Sequence, residues 1–469
     1  MSVEDRSPRR QWRTGRLTWI ALIAGMGLCT SAVAETVSEG ELSGEVDRAA
    51  CPVSAKIDQP LFLVDAVDLA LCNNPQIRAS WAVIRQQAAV VGEARAAYWP
   101  TLSATAGELR DRTSYPGTSE PATARTGELI YGAFDWRLFD FGTRGANHRA
   151  AQAQLVAATA SADATLQKVL ASVVRSYFDS VTAAALVSDK RGDQAAAQQT
   201  VASAERRAAV GRAAQNDVLQ SHMALAKSVL DVNRAQAEYS KAISGLIYLL
   251  GLPIETTLRL PANFHEVEMG TAEDLQDWLT ETERDHPAIR AAQAALEAAR
   301  EQVTSARASG LPTLDLTANY YQNGFPNQGL NADNSRVITF GLSVSVPLFD
   351  GFMRHYRVDE ANALVRVKEA ELQDTRQATL MAVISAHADA VAALQNLRAS
   401  EELLQAAQAA NDSSRRRYEG GAGEILELLS TQTARIDAEQ ERVRCLADWH
   451  MARLLLLASA GRLDRASVQ

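Results

Sequence analysis

The sequence predicts a mainly helical fold joined to a membrane β-barrel and built by internal duplication. Three observations carry this. The first is helical length: no proline occurs between Ala122 and Leu252, and 353–419 contains neither glycine nor proline. At 1.5 Å per residue, 67 helical residues make a rod of about 100 Å, far longer than a globular helix. The second is a set of four stretches with strict two-residue alternation of apolar and polar side chains. The third is repetition. Asn74-Pro75-Gln76-Ile77-Arg78-Ala79 matches His286-Pro287-Ala288-Ile289-Arg290-Ala291 at an offset of 212, as Pro100 matches Pro312. Leu138-Phe139-Asp140 matches Leu348-Phe349-Asp350 at 210, as do Gly211 with Gly421 and Gly251 with Gly461. A single two-residue indel in the inter-strand loop reconciles these landmarks, so the chain is two copies of one unit.

The chain starts with a secretory signal. Arg6, Arg9, Arg10, Arg13 and Arg16 precede the apolar run Leu17 to Thr30, and Ala32-Val33-Ala34 is a small-residue cleavage site that makes 1–34 the signal peptide. A lipoprotein signal using Cys29 is the alternative, disfavoured by the bulky Leu28 before it. Five Arg against Glu4 and Asp5 give this segment a net of +3, so the chain's −9 becomes about −12 after cleavage, which argues against nucleic-acid binding. Hydrophobic content of 47% and a mean hydropathy of −0.15 predict no membrane-spanning helix in the mature chain.

The polar segment 35–60 leads in, and the first repeat covers 61–251. A short helix from Leu61 reaches Asn74, a natural N-cap, with Pro75 at the first position of a helix that runs to about Tyr98. Strands are expected at 101–109 and 128–138. In the second, Ile130, Phe134, Trp136 and Leu138 share one face while Tyr131, Asp135 and Arg137 share the other. The long helix follows Gly142 to about Ala209, turns at Val210-Gly211, and returns over about 215–250 to a Gly251-Leu252-Pro253 stop. After a linker at 252–271, the second repeat covers 272–461, with strands at 313–321 and 337–348 and a tail at 462–469. Its Ile338, Phe340, Leu342, Val344, Val346 and Leu348 alternate with Thr339, Ser343 and Ser345. Both second strands turn into their helices at an acid and a glycine: Asp140 with Gly142, and Asp350 with Gly351.

Four strands that are greasy on one face and wet on the other cannot lie in lipid as an open sheet, because the edge N–H and C=O groups would be unsatisfied. Several chains contributing strands to one barrel would close it, with the polar residues lining a lumen. The same logic applies to the rods: a long helix can flank two shorter ones stacked end to end, and Ala-rich faces permit close packing.

Cys51 and Cys72 can pair in an oxidising compartment and close a loop worth roughly 3 kcal/mol, whereas Cys445 lies in an apolar helical pattern as a buried thiol. No Cys/His spacing suggests a metal, no cofactor is expected, and catalysis finds no support. The seven histidines show no HExxH spacing, and GxSxG and Walker A motifs are absent.

The NP-x-[IL]-R-x starts, the Pro-x-Leu strand entries, the Leu-Phe-Asp joins and the G-x5-[DE]-[VL]-L tips together resemble the TolC family of outer-membrane factors over about 61–461. The resemblance implies a homotrimer with long coiled-coil helices forming an α-barrel in the periplasm and four strands per chain in a 12-stranded β-barrel. It implies a passive exit duct in the Gram-negative outer membrane, in contact with outer-membrane lipid, docking a periplasmic adaptor and an inner-membrane ABC or proton-driven transporter. The expected role is type I protein secretion, of the CyaE kind. The alternatives are small-molecule efflux and, more distantly, a structural trimeric coiled-coil protein.

Matched from the tip glycines, the resemblance places Asp217, Glu427 and Tyr418 at a periplasmic gate. Gly423 and Ser430 stand where that family's best-known pattern has an arginine and a second acid. For Asp217 and Glu427 the alternative is plain helix-terminus stabilisation by the dipole; Arg415, Arg416 and Arg417 read as a solvated run, with a face toward a partner or the neighbouring subunit as the alternative. Gly211, Gly420, Gly421 and Gly423 permit tight tip turns, beside which the resemblance implies adaptor docking. Trp99, Trp136, Tyr320 and Tyr321 suit membrane-interface belts, with core packing the alternative for Trp99.

Overall fold

The computed structural model describes residues 60–468 apart from 115, 118, 120, 212–213, 262–273, 324–334 and 421. The signal peptide, nearly all of the extended lead-in, Cys51, Gly421 and the second half of the linker therefore lie outside the described residues. The first repeat consists of α1 (Leu63–Asn73), α2 (Pro75–Ala96), β1 (Thr101–Thr113), β2 (Thr123–Phe139), α3 (Thr143–Ala209) and α4 (Gln215–Leu249). The second consists of α5 (Leu275–Asp285), α6 (Pro287–Ala308), β3 (Thr313–Gln322), β4 (Arg336–Ser345), α7 (Met353–Glu419) and α8 (Ile425–Ser459), followed by a 3-10 turn at Ala466–Val468. Helix lengths repeat to the residue. The long rods are both 67 residues, the return helices both 35 and the strand-leading helices both 22, so the duplication read from five landmarks extends to every helix.

The helix starts are built as the sequence requires. Asn74 Oδ1 accepts from Gln76 N (2.8 Å) and Ile77 N (3.4 Å), and His286 Nδ1 accepts from Ala288 N at 3.2 Å, each ahead of a proline that has no N–H to leave unpaired. α3 packs against α2 and α4 of its own repeat and against α6 and α8 of the other, while α7 packs on α6 and α8. Each rod is thus flanked by two shorter helices in file.

The main core lies midway along the rods. Leu61, Val67 and Leu69 of the α1 region pack on Val173, Val174 and Phe178 of α3, with Leu246 and Leu250 from the end of α4. α5 repeats this on α7, where Trp278 packs with Val383, Ala390, Cys445 and Trp449. Cys445 is a buried free thiol, as expected, and Cys72 is disulfide-bonded.

The strands form one antiparallel sheet in the order β1-β2-β3-β4, leaving β1 and β4 each with an unpaired outer edge. Leu314, Leu316, Ala318 and Tyr320 stand opposite Val344, Leu342, Phe340 and Ile338, so the apolar face is continuous across the pair. It is bare: Phe340 is 80% exposed.

Three sequence expectations need correction. β1 and β2 run to Thr113 and from Thr123, several residues beyond 101–109 and 128–138, because the ladder continues through the charged stretch that pairs Asp111 with Arg125. β4 stops at Ser345 and not at 348, since Pro347 has no N–H to give to a ladder. Both rods also hold an 18-residue window with mean hydropathy of 1.2 (α3) and 1.3 (α7), enough to span a membrane by length and composition. Both rods are packed along other helices. Trp99 is exposed, which removes the core-packing alternative, and Trp136 Nε1 donates to Tyr98 O at 3.0 Å.

Candidate functional site

The tips of the helical hairpins gather most of the residues singled out in the sequence. Tyr418, in the last turn of α7, is buried against Ile425 and Leu428 at the start of α8. The turn between them is tight. Gly420 N donates to Arg416 O (3.0 Å) and Ala422 N to Arg417 O (2.9 Å), and a Cβ on Gly423 would stand 2.9 Å from Tyr418 N. Close approach, and not a positive φ, is why glycine occupies 423, and no arginine fits there without opening the turn. Gly211 does take a positive φ of +70°, in open space.

Glu427 Oε1 accepts from Arg417 Nη1 at 2.8 Å and lies 3.5 Å from Ser414 Oγ. Arg417 therefore braces its own hairpin and is not a freely solvated charge; Arg415 likewise pairs with Asp412 at 2.9 Å. Asp217 Oδ2 accepts from Ala214 N at 3.3 Å, closing the first turn of α4. The structure brings Tyr418 and Glu427 to one hairpin tip and commits the Asp217 carboxylate to its own helix start, as the dipole reading expects.

The second group lies at the joins between sheet and rods. The Asp140 carboxylate, nearly buried, accepts from Gly142 N (3.2 Å), Arg144 N (2.9 Å) and Arg144 Nε (3.0 Å). Arg144 then donates to the carbonyls of Arg137 (2.7 Å) and Leu138 (3.3 Å) and covers the Tyr98 ring, 5.0 Å from its centroid. In the second repeat Asp350 Oδ2 accepts from Arg354 N at 2.9 Å, and Arg354 reaches Arg307 O at 3.1 Å across Gly310, where a side chain would overlap it.

Each join turns through two consecutive left-handed residues. These are Phe141 (+51°) and Gly142 (+92°) in one, Gly351 (+67°) and Phe352 (+66°) in the other. Glycine fills one slot and phenylalanine the other, in opposite order, so each join holds one non-glycine residue against its preference. Sequence reasoning found the acids and glycines but missed Arg144 and Arg354. The shared Asp-x3-Arg spacing was the available signal.

Between tip and core, Asp193 of α3 is half-buried, and its buried Oδ2 has no hydrogen-bond partner among the described residues, with Lys190 Nζ 3.8 Å away. Burial pushes its carboxyl up to about 6, against the pull of Lys190 and Arg435 and with help from Asp189 and Glu439. The folded state then binds a proton more tightly than the unfolded one, so stability falls as pH rises through roughly 4 to 6 and stays reduced above it. Asp193→Asn is expected to stabilise the protein at pH 7.5 by about 1 kcal/mol, discounted from the full shift because water still reaches the group. The check is thermal unfolding at pH 5 and 7.5: the variant should show a smaller difference between the two, and an unchanged difference would discard the assignment.

The whole chain, and not only its tips and joins, has counterparts among known proteins. Protein CyaE of Bordetella pertussis is 37% identical over 464 residues, spanning 97% of both chains. Proteases secretion protein PrtF of Dickeya chrysanthemi is 25% identical over 429 residues, 87% of this chain and 89% of that one. A crystal structure of a membrane protein from Pseudomonas aeruginosa superposes with a TM-score of 0.75 over 88% of this chain and 95% of that one, at 22% identity. The family described as outer membrane efflux protein matches residues 66–252 and 278–462, one match for each structural repeat. The chain belongs to the outer membrane efflux protein family.

Proposed function

We propose that the protein assembles as a homotrimer whose twelve strands close an outer-membrane barrel and whose rods form a periplasmic tunnel. In this reading it is the exit duct of a type I protein secretion system, working with a periplasmic adaptor and an inner-membrane ABC transporter. The observation that carries the secretion reading is the end-to-end similarity to CyaE, and the name of PrtF, a proteases secretion protein, agrees with it. The unpaired edges of β1 and β4 support closure by neighbouring chains, because a lipid-facing sheet has no water to satisfy its edge groups. Asp217, Glu427 and Tyr418 form the periplasmic constriction, with Gly211, Gly420, Gly421 and Gly423 shaping the turns that an adaptor meets.

Small-molecule efflux is the second reading, favoured by the family's own description. Deleting the gene separates the two. Loss of one or a few proteins from the culture supernatant, with fluorescent-dye accumulation unchanged, is the expected result. An unchanged supernatant with increased dye accumulation would transfer the protein to efflux.

A further inference from the structure

The apolar face of the sheet has a sharp upper limit. Trp136, Leu316 and Leu342 lie side by side across β2, β3 and β4, followed by Phe134, Ala318 and Phe340, then by Gly132, Tyr320 and Ile338. Polar residues enter in the next row, where Ala106 and Ile130 stand beside Gln322 and Arg336. β3 ends and β4 begins at that row. Beyond it, Glu108–Thr113 of β1 and Thr123–Glu128 of β2 continue as a two-stranded ribbon, paired with no other strand among the described residues.

Alternation sorts the side chains of this ribbon by face. Glu108, Arg110, Arg112 and Glu128 share the face of the apolar rows, while Asp111 and Arg125 share the opposite face with Tyr131. Arg110, Arg112 and Arg336 are exposed, and their side chains form no hydrogen bond or ion pair among the described residues. Arg110 and Arg112 stand about 13 and 20 Å along the strand from Ala106, or about 10 and 15 Å in height for strands tilted as in a membrane barrel. That is the depth of a headgroup layer above an apolar band.

The ribbon also needs a contact it does not make within the chain. Two strands alone are marginal in water, and Glu108 stands directly opposite Glu128, a like-charge pairing that weakens a ladder. Three arginines against these two glutamates leave the face only +1 per chain, so it acts by where its guanidinium forks stand and not by bulk charge. Such forks match phosphate oxygens two at a time.

We propose that Arg110, Arg112 and Arg336 form a phosphate-binding face for lipid A, the phosphorylated glycolipid of the outer leaflet, which holds the ribbon upright at the barrel mouth. Closing the barrel sets β4 of one chain beside β1 of the next, bringing Arg336 to the same seam as the other two. The inference rests on the proposed reading of the sheet as part of a closed outer-membrane barrel.

The test is binding of lipid A to the purified protein in detergent by native mass spectrometry, which reports the assembled mass in the same spectrum. R110Q/R112Q/R336Q is expected to bind lipid A about tenfold more weakly than wild type, or worse. R125Q, the same change on the opposite face, should bind as wild type does, and lipid A stripped of its phosphates should bind wild type as weakly as intact lipid A binds the triple variant. Should the triple variant fail to assemble, R110Q/R112Q, clear of the apolar band, carries the test, and wild-type affinity in it overturns the proposal. Equal loss in R125Q would reduce the effect to net charge, and equal competition by phosphatidylglycerol would remove the glycolipid assignment; either result overturns it. A wild type that forms no trimer sinks the barrel and this face with it, whereas a trimer indifferent to the phosphates refutes the face alone.

Discussion

Gly251→Ala is expected to cost about 3 kcal/mol or more and to leave little assembled protein, because two independent penalties meet at this residue. Its φ of +67° is the left-handed conformation that terminates α4, with Gly251 N donating to Tyr248 O (3.1 Å) and Leu252 N to Ile247 O (3.2 Å). A Cβ here would also stand 2.5 Å from the carbonyl oxygen of Asn73 and 2.7 Å from its carbonyl carbon. Those are backbone atoms at the end of α1, one residue ahead of the Asn74 cap. They cannot move without disturbing Asn74, whose Nδ2 donates back to Leu249 O at 2.8 Å.

Gly461 is the same device in the second repeat, at φ +75°, but a Cβ there would stand 2.7 Å from Cδ of Pro287, a slightly longer approach than the 2.5 Å at Gly251. Gly211→Ala is the internal comparison. Its φ is +70° and nothing lies within 4 Å, so only the conformational cost of about 1 kcal/mol applies. The expected order of destabilisation is 251, then 461, then 211, measured as the urea midpoint of the detergent-solubilised protein. Equal effects at 251 and 211 would show that the contact with Asn73 carries no energy.

These glycines mark what the sequence could and could not convey. Gly251 and Gly461 are legible as helix stops, because a long apolar period that meets a glycine, and in the first repeat a proline two residues later, cannot continue as a helix. Their contacts with Asn73 and Pro287 are not legible, since nothing local says that the end of α4 abuts the start of α2. The helices were readable to within a few residues because alanine-rich, proline-free periodicity persists for so long. Strand ends were less so, because charged residues such as Asp111 and Arg125 pair across a ladder as readily as they sit in a loop.

The site followed the same division. Residue types tied to a local conformation, Gly423 and Asp140 among them, could be picked out from spacing. Arg207, whose Nη1 donates to the carbonyl of Tyr418 across 211 positions of sequence, could not. In the sequence it is one of two adjacent arginines near a helix end, a place where stabilisation by the helix dipole already accounts for a basic residue.

Asp140→Ala is expected to destabilise the first join by about 3 kcal/mol, whereas Asp350→Ala at the second should cost only about 1 kcal/mol. The asymmetry follows from burial and from what each carboxylate holds. The Asp140 side chain is 7% exposed and its partner Arg144 is 13% exposed, so removing the acid leaves a desolvated guanidinium without its counter-charge, held only by backbone carbonyls and the Tyr98 ring. It also takes the acceptor from the N–H groups of Gly142 and Arg144 at the first turn of a 67-residue helix. Asp350 is exposed and accepts from Arg354 N alone, while the Arg354 guanidinium already has the carbonyls of Arg307 and Gly310. Arg144→Ala should cost less than Asp140→Ala, because the aspartate left behind keeps two backbone donors. Urea midpoints of the three variants decide the matter. Equal losses at the two joins would mean that the acids serve only as helix caps, and that the buried pairing of Asp140 with Arg144 adds nothing to the angle at which the sheet meets its rod.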